Sequence, residues 1–467
     1  PPLSGASRGR DGERDRRARS TRAHGDRRQV HDLKDAVDSP GEDERRGRGA
    51  MRFFSFHLMP YPALPADYDG PAWITCPNRF YDPVLGNSLY NRYIDELLYA
   101  EELGFDGVCV NEHHQNAYGN MPSPNLIASI LARQTSRVRI AVVGNALPLY
   151  DPPTRVAEEF AMIDVISGGR LIAGMVVGGG PEYYSFSLNP AHARERFAEA
   201  HDVILRAWTE PGPFEFIGKH YRLRYVNTWP RPIQQPHPEI WIPGAGSIET
   251  VEFVAKRRYA YMGIPYFHIS VFERMFSMMR EACRKEGYEA DPLQLGWLVP
   301  IFVAESDAEA RKRYEEHFWY FVKRLLPGIN VSPPGYTSVR SMENIMKGVG
   351  TFALNLRTWD EVVEGQYAIV GSPETVLELL GENVERLGVG NLLGLFQLGT
   401  LPADDTRRNL ELFASEVMPR LRERFFDQGS GEARVADVTR GGNGVVAPAA
   451  HGAGAAPASV PSRGGSR

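Results

Sequence analysis

The sequence predicts a single (β/α)8 barrel, an α/β TIM barrel with loop insertions. Three observations carry that expectation. Roughly eight short apolar runs recur between residues 51 and 427, most of them followed by a stretch with helical spacing of apolar residues. The runs are unbroken rather than alternating, as in VRIAVV (Val138–Val143), the pattern of parallel strands buried on both faces. Several break at their carboxyl ends into glycine, asparagine, histidine or carboxylate clusters, and in a barrel those ends share the face that holds active sites. A doubly wound open sheet is the alternative, and no internal repeat is visible.

In chain order, Phe53–Leu58 is the first strand, stopping at Met59-Pro60. The Pro- and Tyr-rich loop from Tyr61 to Gly86 far exceeds the usual βα connection of about 2–6 residues, which marks a functional lid or a disordered segment. Tyr90, Ile94, Leu97 and Leu98 form one helical stripe. Val108–Val110 is the second strand, and it opens into Asn111, Glu112, His113, His114, Gln115 and Asn116. Pro122-Ser123-Pro124 starts a helix with Leu126, Ile127, Ile130 and Leu131 expected on one face. Val138–Val143 is the third strand, ending at Gly144-Asn145-Ala146. Pro152 and Pro153 open a helix that Gly168-Gly169 stops.

Leu171–Val177 is the fourth strand and runs into Gly178-Gly179-Gly180, with Ala191–Trp208 helical after it. Phe214–Phe216 and Tyr221–Leu223 read as a hairpin insertion. Glu239–Ile242 is the fifth strand, ending at Pro243-Gly244-Ala245-Gly246-Ser247, and a helix with Val251 and Val254 follows. Ala260–Ile264 is a strand, Val271–Arg284 a helix, and Leu295–Val303 a strand with an irregularity expected at Pro300. Asp307–Leu325 is helical and Pro327–Thr358 irregular. Val376–Leu387 is helical, Asn391–Leu398 is the last strand, and Leu410, Phe413, Val417 and Leu421 mark the last helix, which Pro419 bends or restarts.

The ends differ from this body. Residues 1–50 hold 13 Arg and Lys, 10 Asp and Glu, and no Phe, Tyr or Trp, while residues 428–467 are rich in Gly, Ala, Pro and Ser. Neither can bury enough apolar surface to offset its ordering entropy, so both are expected to be disordered around a 51–427 barrel domain. The change at Met51 suggests a solvated tail, or sequence lying upstream of a start at Met51. The ends carry +3 and +2 against a total of −5, so residues 51–427 carry −10. That charge argues against nucleic acid as a partner. Cys76, Cys109 and Cys283 show no CxxC and no zinc spacing with His, so no metal set is assigned and a reducing, cytoplasmic setting is expected. No stretch reaches the length of a membrane span, and no membrane partner is expected.

On residue chemistry alone, His113 suits acid–base work near neutral pH, with a structural hydrogen-bond role as the alternative. Glu112 is expected to orient a histidine or pair with a cation. Gly244, Gly246 and Ser247 sit between a strand and a helix, where close backbone approach and helix-start N–H groups favour phosphate. The third glycine of GxGxxG is missing (Glu249 follows Ile248), which excludes a Rossmann reading. Ser247 has N-capping as its alternative. Met59 and Tyr61, with Trp73 and Tyr81, are candidates to line an apolar substrate pocket, with packing under the loop as the equal alternative.

The segment Val110–Gly178 resembles the bacterial luciferase-like family of flavin-dependent monooxygenases and oxidoreductases. The marks are EHH after the second strand, VGNA after the third, PTRVAEE followed by DVISGGRL before the fourth, and later IPGAGS and EVMPRL. The resemblance spans roughly Met51 to Arg424. It implies His113 as the catalytic histidine, supported by His114 and Glu112, and places Asn145 and Ala146 against a flavin ring, with a plain Gly-Asn turn as the alternative. Asn111 is a candidate to hydrogen-bond the flavin or substrate, with capping of the strand end as its alternative. Gly178-Gly179-Gly180 is a second candidate cradle beside Gly244, Gly246 and Ser247, with Tyr183 or Tyr184 close enough to cover the ring. The resemblance also implies a non-proline cis peptide near Gly144-Asn145-Ala146. At the end of strand four luciferase places a phosphate-holding arginine where Val177 stands here, so the anchoring cation must come from elsewhere. Lys256, Arg257 and Arg258 lie too far along their helix for assignment.

The resemblance thus implies a monooxygenase that uses reduced FMN and O2 to oxygenate a small organic substrate through a C4a-peroxyflavin. A flavin reductase would supply the reduced FMN. A homodimer is suggested by the resemblance alone. The alternatives are deazaflavin-dependent hydride transfer on the same fold, and a flavin-binding protein without turnover.

Overall fold

The computed structural model describes residues 51–426, apart from 332 and 343–350. In chain order its strands are β1 (Arg52–Phe56), β2 (Gly107–Val110), β3 (Arg139–Ala146), β4 (Leu171–Val176), β5 (Phe214–Ile217), β6 (Arg222–Val226), β7 (Glu239–Gly244), β8 (Ala260–Gly263), β9 (Leu295–Val303), β10 (Ile369–Gly371) and β11 (Asn391–Leu395). The helices are α1 (Pro83–Glu102), α2 (Pro124–Gln134), α3 (Thr154–Ser167), α4 (Gly180–Ser185), α5 (Ala193–Thr209), α6 (Ile248–Arg257), α7 (Ile269–Lys285), α8 (Asp307–Tyr320), α9 (Trp359–Glu364), α10 (Pro373–Leu387), α11 (Ala403–Leu412) and α12 (Met418–Phe426).

The parallel order β1-β2-β3-β4-β7-β8-β9-β11 closes because β11 pairs back with β1, from Arg52 opposite Asn391 to Phe56 opposite Leu395. This is the expected (β/α)8 barrel. The apolar runs face a core on both sides: every residue of β2 and β9 is buried. Local signals set the helix ends. Asp82 caps α1 by accepting from the N–H groups of Val84 and Leu85, with Pro83 in the first turn, and Gly168 stops α3 at φ 71°.

At Pro300 the expected irregularity is a change of neighbour. β9 pairs with β8 through Trp297 and with β10 from Ile301, so the residue without an N–H sits between the two ladders. The antiparallel pair β5–β6 is the expected hairpin insertion. A π-helical turn (Phe413–Val417) separates α11 from α12, so Pro419 falls at a restart rather than inside one continuous helix.

Other boundaries differ. β1 stops at Phe56 rather than Leu58, and β11 at Leu395 rather than Leu398. Both apolar runs continue past the last ladder pair into buried loop, which composition alone cannot separate from strand. The segment expected to be helical to Leu325 leaves α geometry after Tyr320 for a π-helical turn. The sequence reading missed α4, α9 and β10, which at six, six and three residues are too short to show a period. The expected tails, 1–50 and 428–467, lie outside the described residues. Among those described, no helix is long and apolar enough to cross a membrane.

The amino-terminal ends of the strands are tied by charge. Arg52 and Arg139 reach Glu239 at 3.2 and 3.0 Å, and Trp241 Nε1 donates to the same carboxylate at 2.7 Å. Burial pushes the Glu239 carboxyl up, but the two guanidinium charges outweigh it and hold it below its usual value. The opposite, carboxyl ends carry the long loops. There β3 passes close to β4: a Cβ on Gly174 would stand 1.8 Å from the Val142 carbonyl oxygen. The register slips between Val142 and Asn145, next to a cis Val143–Gly144 peptide, and the slip re-aims the last residues of β3.

Candidate active site

The loop after β2 delivers Asn111 to His114 to the barrel mouth. His113 Nδ1 donates to Glu182 Oε1 at 2.9 Å, and Glu182 comes from α4, immediately after the triple glycine that follows β4. Burial pushes the Glu182 carboxyl up, yet the hydrogen bond and charge of His113 outweigh it, so the group is held below its ordinary value. Trp73 and Tyr118 stand edge-on to the imidazole at 5.0 and 5.1 Å. The indole of Trp73 is itself fixed by donation to the Leu325 carbonyl at 3.1 Å. His113 keeps 22% of its side chain exposed and lines a cavity of about 430 Å³. Tyr61, Ile74, Phe80, Tyr81 and Asn116 are among the other wall residues.

Glu112 points the other way. Its Oε1 accepts from His114 Nε2 at 2.7 Å, while Oε2 accepts from Asn145 Nδ2, Tyr150 OH and Ala146 N–H at 2.8, 3.0 and 3.1 Å. Asn145 in turn accepts from Asn125, which also donates to Glu159. Burial, then the Glu112 carboxylate, pushes the Tyr150 phenol up and keeps it a donor. The network fixes the end of β3. His114 is tied into it and packs edge-on against Phe186 at 4.6 Å, away from the cavity wall that His113 occupies.

A second histidine near a strand end has a different position. His57 follows β1, accepts from the Met59 N–H at 2.8 Å and donates to Glu96 at 2.9 Å, and only 3% of it is exposed. Both ring nitrogens are engaged in holding the chain. Met59 is fully buried and does not line the cavity, whereas Tyr61 does.

The glycine-rich turn after β7 is partly occupied by the protein. The Gly246 N–H donates to Tyr261 OH at 2.8 Å, and Gly244 ends β7 against the same tyrosine ring. Ser247 caps α6 by accepting from Thr250 N–H, so the capping alternative holds as geometry. Yet a cation also comes to this turn. Arg194, in the first turn of α5, donates to Ser247 Oγ at 3.0 Å and to Thr250 Oγ1 at 3.4 Å, and its Nε is buried with no partner among the described residues. Glu249 lies 3.9 Å from the same guanidinium and accepts from Ser338 and Ser341. Burial pushes its carboxyl up, but those hydroxyls and Arg194 outweigh it and hold it at about 2. Ser341 also accepts the Ile248 N–H at 3.1 Å.

Gly178, at φ 88°, offers its carbonyl to Tyr336 OH, and Tyr183 donates to the Val177 carbonyl at 2.5 Å with its ring 5.6 Å from that of Tyr336. Tyr183 is buried and Tyr184 exposed. The Oδ1 of Asn111 and the Oε2 of Glu182 are buried acceptors without partners among the described residues. Together with the open Nε of Arg194, they leave polar capacity for a phosphorylated, hydrogen-bonding cofactor at this mouth. A larger hollow of about 790 Å³ between α6 and α7 is lined by surface charges such as Glu252, Lys256 and Glu281, lacks a catalytic cluster, and lies outside the barrel mouth.

Two of these residues escaped the sequence reading. Glu182 stood inside GGGPEYY, next to a candidate glycine, but nothing local pairs a carboxylate with a histidine 69 residues away. Arg194 stood in the run ARERF, while the search for a cation looked to the end of β4 and to α6.

The sequence model of the family described as luciferase-like monooxygenase matches residues 74–391. The oxygenase component of the flavin-dependent trigonelline monooxygenase of Acinetobacter baylyi is 28% identical over 243 residues, covering 50% of this chain and 64% of that protein. The oxygenating constituent of 3,6-diketocamphane monooxygenase from Pseudomonas putida, solved with FMN, superposes with a TM-score of 0.59 at 20% identity, over 79% of this chain and 99% of that one. An F420-dependent secondary alcohol dehydrogenase superposes with a TM-score of 0.56 at 17% identity, over 80% and 99%. At these identities the two structures share the barrel, not a demonstrated chemistry.

Proposed function

Because this chain belongs to the luciferase-like monooxygenase family, we propose that it is an FMN-dependent monooxygenase acting on a small organic substrate. The observation that carries the reading is His113 on the wall of the 430 Å³ cavity, paired with the buried Glu182, together with a separate cation-and-hydroxyl cluster at Arg194, Ser247 and Thr250. Reduced FMN would supply the electrons that activate O2, by the route the resemblance implies, and a partner reductase would supply reduced FMN.

In this reading Arg194, Ser247 and Thr250 hold the phosphate, taking the place of the arginine that Val177 replaces. Ser341 has to give up the Ile248 N–H as the phosphate settles. Tyr183 and Gly178 cover one side of the ring, Asn145 and Ala146 lie under it, and Asn111 hydrogen-bonds its edge. His113, oriented by Glu182, moves or holds a proton beside the reacting face. Glu112 and His114 keep the β3 end in place. Water exclusion falls to Trp73, Tyr118 and the loop of residues 61–82. The exposed apolar residues Met162, Val165 and Ile166, at i, i+3 and i+4 on α3, support a homodimer through that helix; Leu126, expected on the packed face of α2, is exposed as well. A cytoplasmic protein without nucleic-acid or membrane partners completes the proposal.

The rival reading is deazaflavin-dependent hydride transfer, favoured by the shared barrel of the F420-dependent dehydrogenase. Titrating the purified chain with FMN, reduced FMN and the deazaflavin separates the two. Tight binding of reduced FMN, with product formed only in the presence of O2, is the expected result. Tight binding of the deazaflavin alone, with turnover that persists anaerobically, replaces the monooxygenase by the dehydrogenase. Flavin binding without turnover on any substrate tried, unchanged by His113→Ala, leaves a binding protein.

A further inference from the structure

Outside the barrel mouth, the hairpin insertion packs against the start of α5 and brings three metal-ligating side chains together. His192 ends the 3₁₀ turn Pro190–His192, Glu195 lies one turn further on, and His220 sits in the turn between β5 and β6. Their ligand atoms all lie within 4.8 Å of one another. His220 Nε2 is 2.8 Å from Glu195 Oε2, and His192 Nδ1 is 3.6 Å from the same oxygen. Ligands of a four-coordinate zinc, with bonds of about 2.0–2.1 Å, stand about 3.3 Å from one another, between these two separations.

The third ligand is held in place. Glu199, on the next turn of α5, accepts the backbone N–H groups of Lys219, His220 and Tyr221 at 2.9, 2.8 and 3.2 Å. A Cβ on Gly218 would stand 2.3 Å from that same carboxylate, so the hairpin turn lies tight on the helix. The donor set is therefore two residues on one helical turn and a third on a loop pinned to the following turn. His220 is nearly buried while His192 and Glu195 are half-exposed, which leaves the outer side of the cluster open to water as a fourth ligand.

We propose that His192, Glu195 and His220 bind a divalent transition-metal cation of the zinc class, fastening the β5–β6 hairpin to the first turn of α5. Two imidazoles and one carboxylate suit a borderline cation such as Zn²⁺ and not the oxygen-seeking Mg²⁺ or Ca²⁺. Lys219 is the built-in competitor: its ammonium lies 2.7 Å from the same Glu195 Oε2. The Lys219 side chain is 63% exposed, so it can swing into solvent when a metal takes the oxygen. Arg194, which reaches Ser247 and Thr250, lies on this same turn between two of the ligands, so metal occupancy would stiffen the helix start that presents it. In sequence the pattern is only a His-x-x-Glu followed by a distant histidine, too sparse to read as a site.

The test is a Co²⁺ titration of the untagged, chelator-treated full chain, followed by visible absorption and then by displacement with Zn²⁺. The proposal expects saturation at one Co²⁺ per chain with the intense bands of four-coordination, reversed by Zn²⁺. It expects affinity to fall at least tenfold in His192→Ala and in His220→Ala. Lys219→Met should bind several-fold more tightly, a gain that misfolding cannot produce. Absence of the bands in the natural sequence, binding that survives both histidine substitutions, or an unchanged affinity in Lys219→Met would each overturn it.

Discussion

His113, in the loop after β2, and Glu182, in α4 after β4, meet at 2.9 Å, and each changes what the other can do. Glu182 is buried, which by itself disfavours its charge, and the imidazole is what holds its carboxyl below the usual value. Replacing the ring removes the largest opposing influence. In His113→Ala, burial is opposed only by a backbone N–H and the charge of His114, so the Glu182 carboxyl should titrate higher than in the natural sequence. A protonated-carboxyl infrared band, assigned by its loss in the double variant with Glu182→Gln, reads this directly. Turnover in His113→Ala should fall by about 10²–10⁴ with flavin affinity retained, the range for a lost acid–base group. Glu182→Gln should lower kcat with little change in flavin affinity, since it disturbs only the orientation and charge beside the histidine. An unaltered kcat in both variants would remove the pair from the chemistry.

How much of this was legible in the sequence depends on distance along the chain. The barrel was legible because unbroken runs such as those of β2, β3 and β9 have one physical explanation, burial on both faces. His113 stood out because a polar cluster followed such a run. Glu112, expected to orient a histidine or pair with a cation, contacts His114, and its partners Asn145 and Tyr150 appear only once β2 and β3 lie side by side. Glu182 and Arg194 were illegible for the same reason: their partners lie 69 and 53 residues away, and no spacing rule links them. Ser247 shows the limit of a local signal, since it caps α6 and touches Arg194 at once.

Arg194 reaches the α6 start and keeps a buried nitrogen that has no partner among the described residues. A charge-assisted contact contributes about 1.5–3 kcal/mol. Arg194→Ala should therefore weaken FMN binding roughly ten- to a hundredfold. Riboflavin, which lacks the phosphate, should bind the variant and the natural sequence alike. Calorimetry with both ligands makes the comparison, and an equal loss for riboflavin would show that Arg194 supports the fold rather than the phosphate.

Glu239 anchors the amino-terminal ends of three strands through Arg52, Arg139 and its own strand's Trp241. Its carboxyl lies below the ordinary value in the folded chain, so the unfolded chain binds a proton more readily. The stabilisation is present above about pH 4.3 and is lost as the pH falls through the lowered folded value. Glu239→Gln should cost roughly 1–3 kcal/mol at neutral pH. The variant should also lose less stability than the natural sequence on acidification, because this titration is gone. Urea unfolding at neutral pH and near pH 4 measures both, and parallel loss in the two proteins would refute the assignment.

Close approach of β3 and β4 puts a steric demand on one residue. The Val142 carbonyl oxygen would lie 1.8 Å from a Cβ at Gly174, and that oxygen belongs to the backbone of a central strand. Neither strand can move away without disturbing the ladders on its other side. Gly174→Ala should thus destabilise by at least about 1–3 kcal/mol, the usual cost of overpacking. Because the β3 end carries Asn145 and Ala146, flavin affinity should fall with it. A variant with the natural melting temperature would mean that the strands are less tightly opposed than described.

Glu112 sets the conformation of that same β3 end with four hydrogen bonds, from His114, Asn145, Tyr150 and the Ala146 N–H. All four donors are directed at one buried carboxylate, so truncation leaves them without an acceptor at once. Glu112→Ala should destabilise by about 3–5 kcal/mol, the range for removing one partner from a buried charged network. Glu112→Gln keeps one oxygen for the β3 donors but turns an amide toward His114, so its main effect should fall on His114 and its stability loss should be smaller. The two substitutions therefore separate holding β3 from holding His114. If flavin binding fails in Glu112→Ala and survives in Glu112→Gln, the carboxylate acts by shaping the end of β3. If both lose turnover while binding flavin normally, Glu112 takes part in the chemistry through His114, and the division of labour between the two histidines has to be redrawn.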